Sequence, residues 1–274
     1  MGDDDLSEPA VATALSTRWL GHPYYYAAAL DSTNERLKTW LAERDSAGLP
    51  TGAVLLTDYQ SAGRGRLDRR WEAPPGTSLL FSVLLRPGWP AERAGWLTML
   101  AGLAVAEAVE AATDRPARLK WPNDVLLGVA GEEGKVCGLL LDAALDGEGR
   151  LESAIVGIGL NVNIPRAALP QATTLATSLL VAAGQPVARR PLLVNLLARL
   201  ERHYEAASAG RSPLAAWRER LITLGRTVQV SAAGATPALV GIAEDVDEGG
   251  RLLIRDAAGR LHIVAAGDVT LRGH

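Results

Sequence analysis

Cysteine and histidine are both scarce in this chain of 274 residues, and their scarcity excludes several kinds of site. The lone Cys137 cannot form a disulfide within the chain, and four scattered histidines do not make a credible zinc cluster. We therefore expect no tightly bound metal. A metal ion, if the protein uses one, would arrive with a substrate.

Net positive charge and long apolar runs are also lacking. With 28 basic and 31 acidic residues the formal charge is -3, so the chain as a whole does not attract DNA or an anionic membrane. The first residues, MGDDDLSEP, are acidic and unlike a secretory signal peptide, and apolar stretches such as residues 97–109 are too short to span a bilayer. We expect a cytoplasmic protein that binds neither DNA nor membranes.

Lysine is nearly absent, although arginine is abundant. Only Lys38, Lys120 and Lys135 occur among the 28 basic residues. Two of these lysines lie in the motifs described below. A compact ammonium group differs from the planar guanidinium fork, so a retained lysine indicates a place where that difference matters.

The hydrophobic pattern divides the chain into two parts. Up to Leu224, buried strands and apolar helices come in blocks, which predicts an α+β domain with a mixed β-sheet and helices packed on one side. After Gly225 the helical period disappears, and short alternating strands between glycine-containing turns predict a small β-barrel. We place the first domain over residues 1–224 and the barrel over residues 225–274.

Two familiar phosphate-binding motifs are excluded. Residues 131–135, GEEGK, resemble the end of a Walker A loop, but Val136 stands where Ser or Thr is required and two carboxylates would repel phosphate. Residues 63–68 begin like a dinucleotide fingerprint, but Asp68 occupies the position of its last glycine.

The loop at residues 63–76, GRGRLDRRWEAPPG, carries local positive charge between two predicted buried strands. Its glycines let the backbone approach a ligand closely, and guanidinium groups bind phosphate oxygens in a bidentate manner. A solvated run of charge is the alternative, but it does not explain the glycine alternation or the tryptophan. The arginines are Arg64, Arg66, Arg69 and Arg70.

A second motif, KWPND at residues 120–124, lies at the end of a predicted strand. Pro122 ends the strand, while Lys120 and Asn123 supply a point charge and an amide from a rigid support. Trp121 is interpreted as a packing residue. Alone, the motif would be weak evidence, because a Pro-Asn-Asp turn after a strand is common.

Two apolar strands, at residues 135–141 and 156–163, contain glycines. Glycine weakens a strand unless a ligand or another backbone comes close. Pocket lining and simple close packing both explain this pattern. Cys137 is interpreted as a small core residue, because no histidine is adjacent to it in these motifs.

Taken together in chain order, these motifs resemble the biotin protein ligases. The resemblance covers nearly the whole chain, and its GRGR and KWPND elements are specific when both occur. The segments that carry it are residues 31–34, 60–71, 120–124, 135–140 and 157–163.

The resemblance implies an α+β catalytic domain followed by an SH3-like barrel. It implies an ATP-dependent ligase that activates biotin as biotinyl-5'-AMP and transfers it to a lysine of a biotin carboxyl carrier protein domain of a carboxylase. ATP with Mg2+ and biotin would be substrates, and the protein would be a monomer or weak homodimer. A DNA-binding repressor domain is not expected, because only 30 residues precede Asp31.

The resemblance also implies roles for particular residues. Those expected to act in catalysis are Lys120, Arg64 and Arg66. Those expected to bind biotin or the adenylate are Ser32, Thr33, Asn34, Gln60, Gly63, Arg64, Gly65, Arg66, Arg69, Trp71, Lys120, Asn123, Gly138 and Asn161.

The loop departs from the family pattern at two positions. Asp68 stands where the family commonly has glycine, and Leu67 occupies a position that can be basic in relatives. We expect the ligand contacts to be retained and the dynamics of the loop to differ.

The sequence is also compatible with two alternative functions. A lipoate or octanoate transferase would share the fold, although octanoyl transferases need a cysteine nucleophile that has no clear counterpart here. A non-catalytic protein that binds nucleotide or RNA is a different class, which the negative net charge disfavours for RNA. Pyrophosphate release from ATP separates them: it depends on biotin in a biotin ligase and on lipoate in the first alternative, and it is absent in the second.

Overall fold

The computed structural model describes residues 4–43, 48–67, 69–129, 131–170, 175–231 and 239–271. The helices are α1 Glu8–Ala14, α2 Thr33–Glu43, α3 Ala94–Thr113, α4 Leu179–Ala183, α5 Arg189–Ser208 and α6 Leu214–Arg220. The first seven strands are β1 Tyr24–Ala27, β2 Val54–Thr57, β3 Ser78–Leu85, β4 Ala117–Lys120, β5 Asp124–Val129, β6 Glu132–Leu145 and β7 Leu151–Asn161. The last five are β8 Thr227–Ser231, β9 Leu239–Val246, β10 Leu252–Arg255, β11 Leu261–Val264 and β12 Asp268–Leu271.

The first seven strands form one mixed sheet in the order β1-β2-β3-β7-β6-β5-β4. Only β1 and β2 are parallel, and the other neighbours are antiparallel. The long central strands β6 and β7 pair so that Gly138 lies opposite Gly159 and Leu140 opposite Gly157. The two glycine-containing strands predicted from the sequence are therefore neighbours at the centre of the sheet.

Helices cover both faces of this sheet unequally. Alternate residues of β2 belong to different apolar clusters: Val54 and Leu56 lie in the large core with α3 and α5, and Leu55 lies in a smaller core with Leu37 of α2. This alternation follows from the two-residue period of a strand. Packing on one side was expected. Helices α3 and α5 do pack on one face of the sheet, whereas α2 covers part of the opposite face.

Helix α3 forms the centre of the large core. By length and composition alone, Ala91–Thr113 could cross a membrane, which the run at residues 97–109 did not suggest. In the fold, 67% of its 18-residue apolar window is buried. A helix that is apolar on all sides is typical of the core of a protein as well as of a membrane span.

The last five strands form a separate antiparallel sheet in the order β11-β10-β9-β8-β12. Alternate residues such as Val228, Val230 and Ile254 are buried, so the side chains of one face make a small core of their own. The predicted loss of helical structure after Gly225 agrees with these strands. The exact domain boundary near Leu224 stays a prediction.

The small sheet contacts the first domain through the turn between β9 and β10. The indole Nε1 of Trp96 donates to the carbonyl of Glu248 at 2.8 Å, and that of Trp121 donates to the carbonyl of Gly250 at 2.8 Å. Two buried tryptophans therefore hold this turn against α3 and the seven-stranded sheet. This contact brings β8 and β12 to the mouth of the cavity described next.

Candidate active site

A cavity of about 710 Å³ opens over the glycine-containing strands β6 and β7. Its walls come from the start of α2, the loop at residues 63–76 (here called the arginine loop), the KWPND segment and the small sheet. The residues predicted from the sequence that line it are Ser32, Thr33, Asn34, Gln60, Arg64, Gly65, Arg66, Arg69, Trp71, Lys120, Asn123, Gly138 and Asn161. Residues distant in sequence thus share one cavity of a size suited to a small ligand.

One end of the cavity carries buried, neutral hydrogen-bonding groups. Gln60 Oε1 accepts from the backbone N–H of Thr33 at 2.8 Å and lies 3.2 Å from the hydroxyl of the same residue. Ser82 Oγ lies 2.6 Å from both Thr33 Oγ1 and Asn34 Oδ1. Asn34 also donates to Asp142 at 2.8 Å. This network holds the side chains in fixed positions, as a site for a polar, uncharged group requires.

Glycine allows the close packing at this end. A Cβ at Gly157 would lie 2.3 Å from Asn34 Oδ1, so any larger residue would displace the amide. The sequence left pocket lining and close packing as alternatives for these glycines. At Gly157 both apply, because the residue lines the cavity and admits Asn34.

Trp71 lies across the centre of the cavity floor. A Cβ at Gly138 would lie 2.7 Å from its indole ring, and a Cβ at Gly159 would lie 2.6 Å from it. Lys135 Nζ is 5.4 Å from the centre of the ring. The paired glycines of β6 and β7 therefore form a flat surface that accommodates an aromatic group, and the indole occupies it.

The other end of the cavity is charged. Lys135 Nζ lies 2.6 Å from Asp124 Oδ1, and Lys120 is half-buried nearby on β4. Burial lowers the pKa of Lys120, the positive charges of Lys135 and Arg69 lower it further, and the charge of Asp124 opposes the shift. Two ammonium groups held beside one carboxylate leave net positive charge at this end, where an anionic ligand would be stabilised.

Arg66 links the arginine loop to both neighbouring parts of the site. Its guanidinium lies 3.4 Å from Asn123 Oδ1 and 3.3 Å from the carbonyl oxygen of Gly267, the residue directly before β12. Burial lowers its pKa, as does Arg69, while Asp124 acts in the opposite direction. Arg64, by contrast, is exposed and forms an ion pair with Glu35.

Gly63 does not line the cavity. A Cβ there would lie 2.3 Å from the carbonyl oxygen of Trp71, whose N–H donates to the carbonyl of Gly63 at 3.0 Å. Gly63 therefore allows the first residue of the arginine loop to pack against Trp71 within the same loop. Leu67, at the tip of this loop, is exposed and has a left-handed backbone with φ of 53°, whereas Asp68 lies outside the described residues.

Several cavity residues were missed by the sequence analysis. The scarcity of lysine could have indicated Lys135 as a site residue. The positions of Gly157 and Gly159 inside a strand could have indicated these two glycines. Residues of the small sheet had no signal, because only the folded chain brings that sheet to the cavity. Those that line it are Ser231, Val269, Thr270 and Leu271.

Cys137 is fully buried, as expected for a core residue. Burial raises the pKa of its thiol, so the reactive thiolate is disfavoured. The described part of the chain contains no group of three or more His, Cys, Asp or Glu side chains arranged to hold a metal ion. The arrangement instead suits a ligand that is neutral at one end and anionic at the other.

Two family profiles match the chain. The Biotin/lipoate A/B protein ligase family matches residues 26–161, and the Biotin protein ligase C terminal domain matches residues 223–272. A Biotin--[acetyl-CoA-carboxylase] ligase of Mycobacterium tuberculosis is 38% identical over 88% of this chain and 86% of its own length. The Bifunctional ligase/repressor BirA of Bacillus subtilis is 31% identical over 95% of this chain and 78% of its own.

The fold agrees with these sequence matches. A biotin protein ligase from Aquifex aeolicus, solved in complex with biotin and ATP, superimposes with a TM-score of 0.71 at 30% identity. The match covers 91% of this chain and 98% of that one. Family profiles, relatives and fold agree, and the chain belongs to the biotin protein ligase family.

Proposed function

We propose that this protein is an ATP-dependent ligase that converts biotin to biotinyl-5'-AMP and transfers the biotinyl group to a protein lysine. The observation that carries the proposal is the cavity itself. It joins a buried, neutral hydrogen-bonding end to a positively charged end along a floor of glycines. Biotin has the matching shape, with a polar uncharged ring system at one end and a carboxylate at the other.

The ring system of biotin would bind at the neutral end. Thr33, Asn34 and Gln60 there present hydroxyl and amide groups; in the free protein Thr33 bonds to Gln60, and Asn34 bonds to Ser82. A urea-like group both donates and accepts, so it could share or replace these bonds without leaving a buried polar group unsatisfied. The apolar tail would then extend toward the charged end, over the glycine pair now covered by Trp71.

The first chemical step must bring two anions together. A carboxylate oxygen of biotin attacks the α-phosphorus of ATP, a new C–O–P linkage forms, and the bond to pyrophosphate breaks. We assign Lys120 to the bridging position between carboxylate and phosphate, because it is half-buried beside the cavity and its point charge can contact both. ATP would enter as its Mg2+ complex.

The arginine loop would retain the adenylate once it forms. Arg66 and Arg69 lie on the cavity wall, and charge-assisted hydrogen bonds from guanidinium to phosphate are stronger than neutral ones. Arg64, paired with Glu35 in the free protein, would need to exchange that carboxylate for phosphate. Lys135 is added to the phosphate-binding set, since its ammonium lies in the same cavity.

The second step releases AMP. The uncharged amine of an acceptor lysine attacks the carbonyl carbon of the mixed anhydride, the bond to the phosphate oxygen breaks, and a proton leaves the new amide nitrogen. We propose a biotin carboxyl carrier protein domain as the acceptor. The small sheet would help shape the entrance, since β8 and β12 line the cavity.

A lipoate ligase remains the nearest competitor by fold, and an octanoyl transferase is disfavoured because the only cysteine is buried. The test is release of pyrophosphate from ATP by the purified protein with biotin, with lipoate, or with neither. We expect release with biotin alone, followed by labelling of one lysine when a carrier domain is added. Release that depends on lipoate, or no release with either acid, would refute the proposal.

A further inference from the structure

A buried arginine outside the cavity contacts both ends of the segment that joins β2 to β3 and contains the arginine loop. Arg189, the first residue of α5, is only 6% exposed. Its guanidinium donates to Asp58 Oδ1 at 2.6 Å and lies 3.4 Å from the carbonyl oxygen of Ser78. Asp58 directly follows β2, and Ser78 is the first residue of β3. One side chain therefore spans the two points where the loop leaves and re-enters the sheet.

The other contacts of Asp58 strengthen this base. The hydroxyl of Tyr26 donates to Asp58 Oδ2 at 2.7 Å, so each oxygen of the carboxylate has a donor. This hydrogen bond is the main reason that the pKa of Tyr26 is raised to about 12. The carbonyl of Asp58 accepts from the N–H of Gly76 at 3.1 Å, which closes the loop through the backbone.

The cavity residues begin two positions after this base. Tyr59 and Ser61 form backbone hydrogen bonds with Leu30, and Gln60 between them turns its side chain to Thr33. A shift of Asp58 would therefore move Gln60 and the arginines that follow it. Backbone placement of this kind matters, because hydrogen bonds weaken steeply outside a narrow range of distance and angle, so a shift of the loop would weaken its contacts with a ligand.

We infer that Arg189 is a positioning residue, which acts through Asp58 to hold the arginine loop in the register that retains the adenylate. The identity of the ligand in this inference rests on the proposed function, whereas the effect of Arg189 on the geometry of the loop does not. The guanidinium is buried, and Asp58 is its nearest carboxylate partner, whereas Asp4 Oδ1 lies 3.7 Å from its Nε. The cost of burying this charge is therefore offset mainly by Asp58, which is half-buried and also accepts from Tyr26. Removing the guanidinium would thus release the loop base without touching the ligand.

The test compares Arg189→Met with Arg199→Met in the full chain. Arg199 lies on the same helix and also donates to a carboxylate, that of Glu107, but it does not line the cavity. Two measurements are made on each variant: dissociation of biotinyl-5'-AMP by rapid filtration, and single-turnover pyrophosphate release at saturating biotin and ATP. We expect Arg189→Met to release the adenylate at least about tenfold faster, with less than about threefold loss in its synthesis. Arg199→Met should match wild type in both, and Arg189→Lys should recover part of the retention.

A second measurement does not depend on ligation. Trypsin cleaves after arginine, so the loop arginines report their own accessibility in the free protein. Cleavage at residues 64–70 is compared with cleavage at Arg150, in the exposed turn between β6 and β7. We expect the ratio to rise about tenfold in Arg189→Met and to stay unchanged in Arg199→Met.

Several outcomes would overturn the inference. If the two methionine variants release the adenylate at the same rate and show the same cleavage ratio, Arg189 stabilises the fold in general and does not position the loop. If Arg189→Met does not fold, Asp58→Asn and Tyr26→Phe replace it, and unchanged retention in both overturns the inference. If the wild-type protein makes no adenylate, the proposed function fails, and the cleavage ratio still decides whether Arg189 positions the loop.

Discussion

The surroundings of Lys120 alter the charge that this side chain presents to the cavity. It lies at the end of β4, half-buried, with the positive charges of Lys135 and Arg69 and the negative charge of Asp124 close enough to alter its pKa. Burial weakens the competition from water, so its charge acts more strongly on a ligand than it would at the surface.

Replacing Lys120 by arginine preserves the charge but changes its shape. A planar guanidinium cannot occupy the same point between carboxylate and phosphate, so we expect the rate of adenylate formation to fall about 10- to 100-fold. The free energy of unfolding should change little. Pyrophosphate release in a single turnover measures the rate. Lys38→Arg is the matched control, since Lys38 does not line the cavity. Wild-type release by Lys120→Arg would remove Lys120 from the mechanism.

Arg66 should affect retention of the intermediate more than its synthesis. Its contacts in the free protein are with Asn123 and the carbonyl of Gly267, which leaves the guanidinium at the cavity wall. A charge-assisted contact to phosphate contributes about 1.5–3 kcal/mol, so Arg66→Gly should release biotinyl-5'-AMP about 10- to 100-fold faster. Free adenylate would then label lysines of an unrelated protein such as serum albumin.

The control for this prediction is Arg150→Gly. Arg150 also donates to a backbone carbonyl, that of Gly88 at 2.8 Å, but it does not line the cavity. Rapid filtration of the labelled adenylate gives the dissociation rate of each variant. Dissociation at the wild-type rate together with slower synthesis would place Arg66 in the chemical step.

At the scale of elements, α3 and α5 are joined by a charged cluster at their otherwise apolar contact. Glu107 of α3 accepts hydrogen bonds from Arg199 at 2.8 Å and Arg202 at 2.7 Å, and lies 2.9 Å from His203 Nε2. Burial tends to raise the pKa of Glu107, but the hydrogen bonds and positive charges prevail and lower it to about 2.

This shift predicts a specific acid sensitivity. A carboxyl group whose pKa is lowered in the folded state stabilises the fold above its unfolded pKa of 4.5, and that stabilisation is lost as the pH falls toward 2. The contribution is at most about 3 kcal/mol. The free energy of unfolding should therefore decrease between pH 5 and 2 less steeply in Glu107→Gln than in wild type.

Denaturant titrations across that pH range test the prediction. Glu148→Gln, in the exposed turn between β6 and β7, is the control and should follow the wild-type curve. Parallel curves for wild type and Glu107→Gln would show that the cluster contributes nothing to the acid response.

At the scale of the whole molecule, we expect function to depend on the position of the small sheet against the first domain. Gly95, at the start of α3, faces the turn between β9 and β10: a Cβ there would lie 2.2 Å from the carbonyl oxygen of Gly249. Gly102, further along the same helix, has only ordinary contacts, at 3.6 Å or more. Alanine at Gly95 should affect both the stability of α3 and the contact with the small sheet, whereas alanine at Gly102 should affect the helix alone. A comparison of the two variants therefore isolates the effect of the contact.

Alanine normally stabilises a helix relative to glycine by up to about 1 kcal/mol. We expect Gly102→Ala to be neutral or stabilising. In Gly95→Ala the collision with a backbone oxygen should displace the turn between β9 and β10 and lower the free energy of unfolding by about 1–3 kcal/mol. Because the small sheet lines the cavity, biotin transfer should fall as well. Wild-type transfer and stability in Gly95→Ala would show that the seating of the sheet is not critical.

Much of this organisation follows from the order of residues alone. The strand at residues 78–85 is largely apolar and is buried on both faces. The change of period after Gly225 marks the all-β region, because strand and helix periods differ. The motifs around Arg66, Lys120 and Gly138 are recognisable in the sequence because charged residues and glycines inside apolar segments reduce the stability of the fold unless they bind a ligand or allow close packing. Their roles in ligation stay predictions.

Tertiary structure alone decided which of these motifs meet and what supports them. Pairing of β6 with β7 set Gly138 opposite Gly159 and seated Trp71 over both, and a turn of the small sheet reached Trp121 across the chain. The contact of Arg189 with Asp58 joins residues 131 positions apart. Such contacts depend on packing between distant segments of the chain. A local pattern of residue types does not specify which distant segment will pack against it.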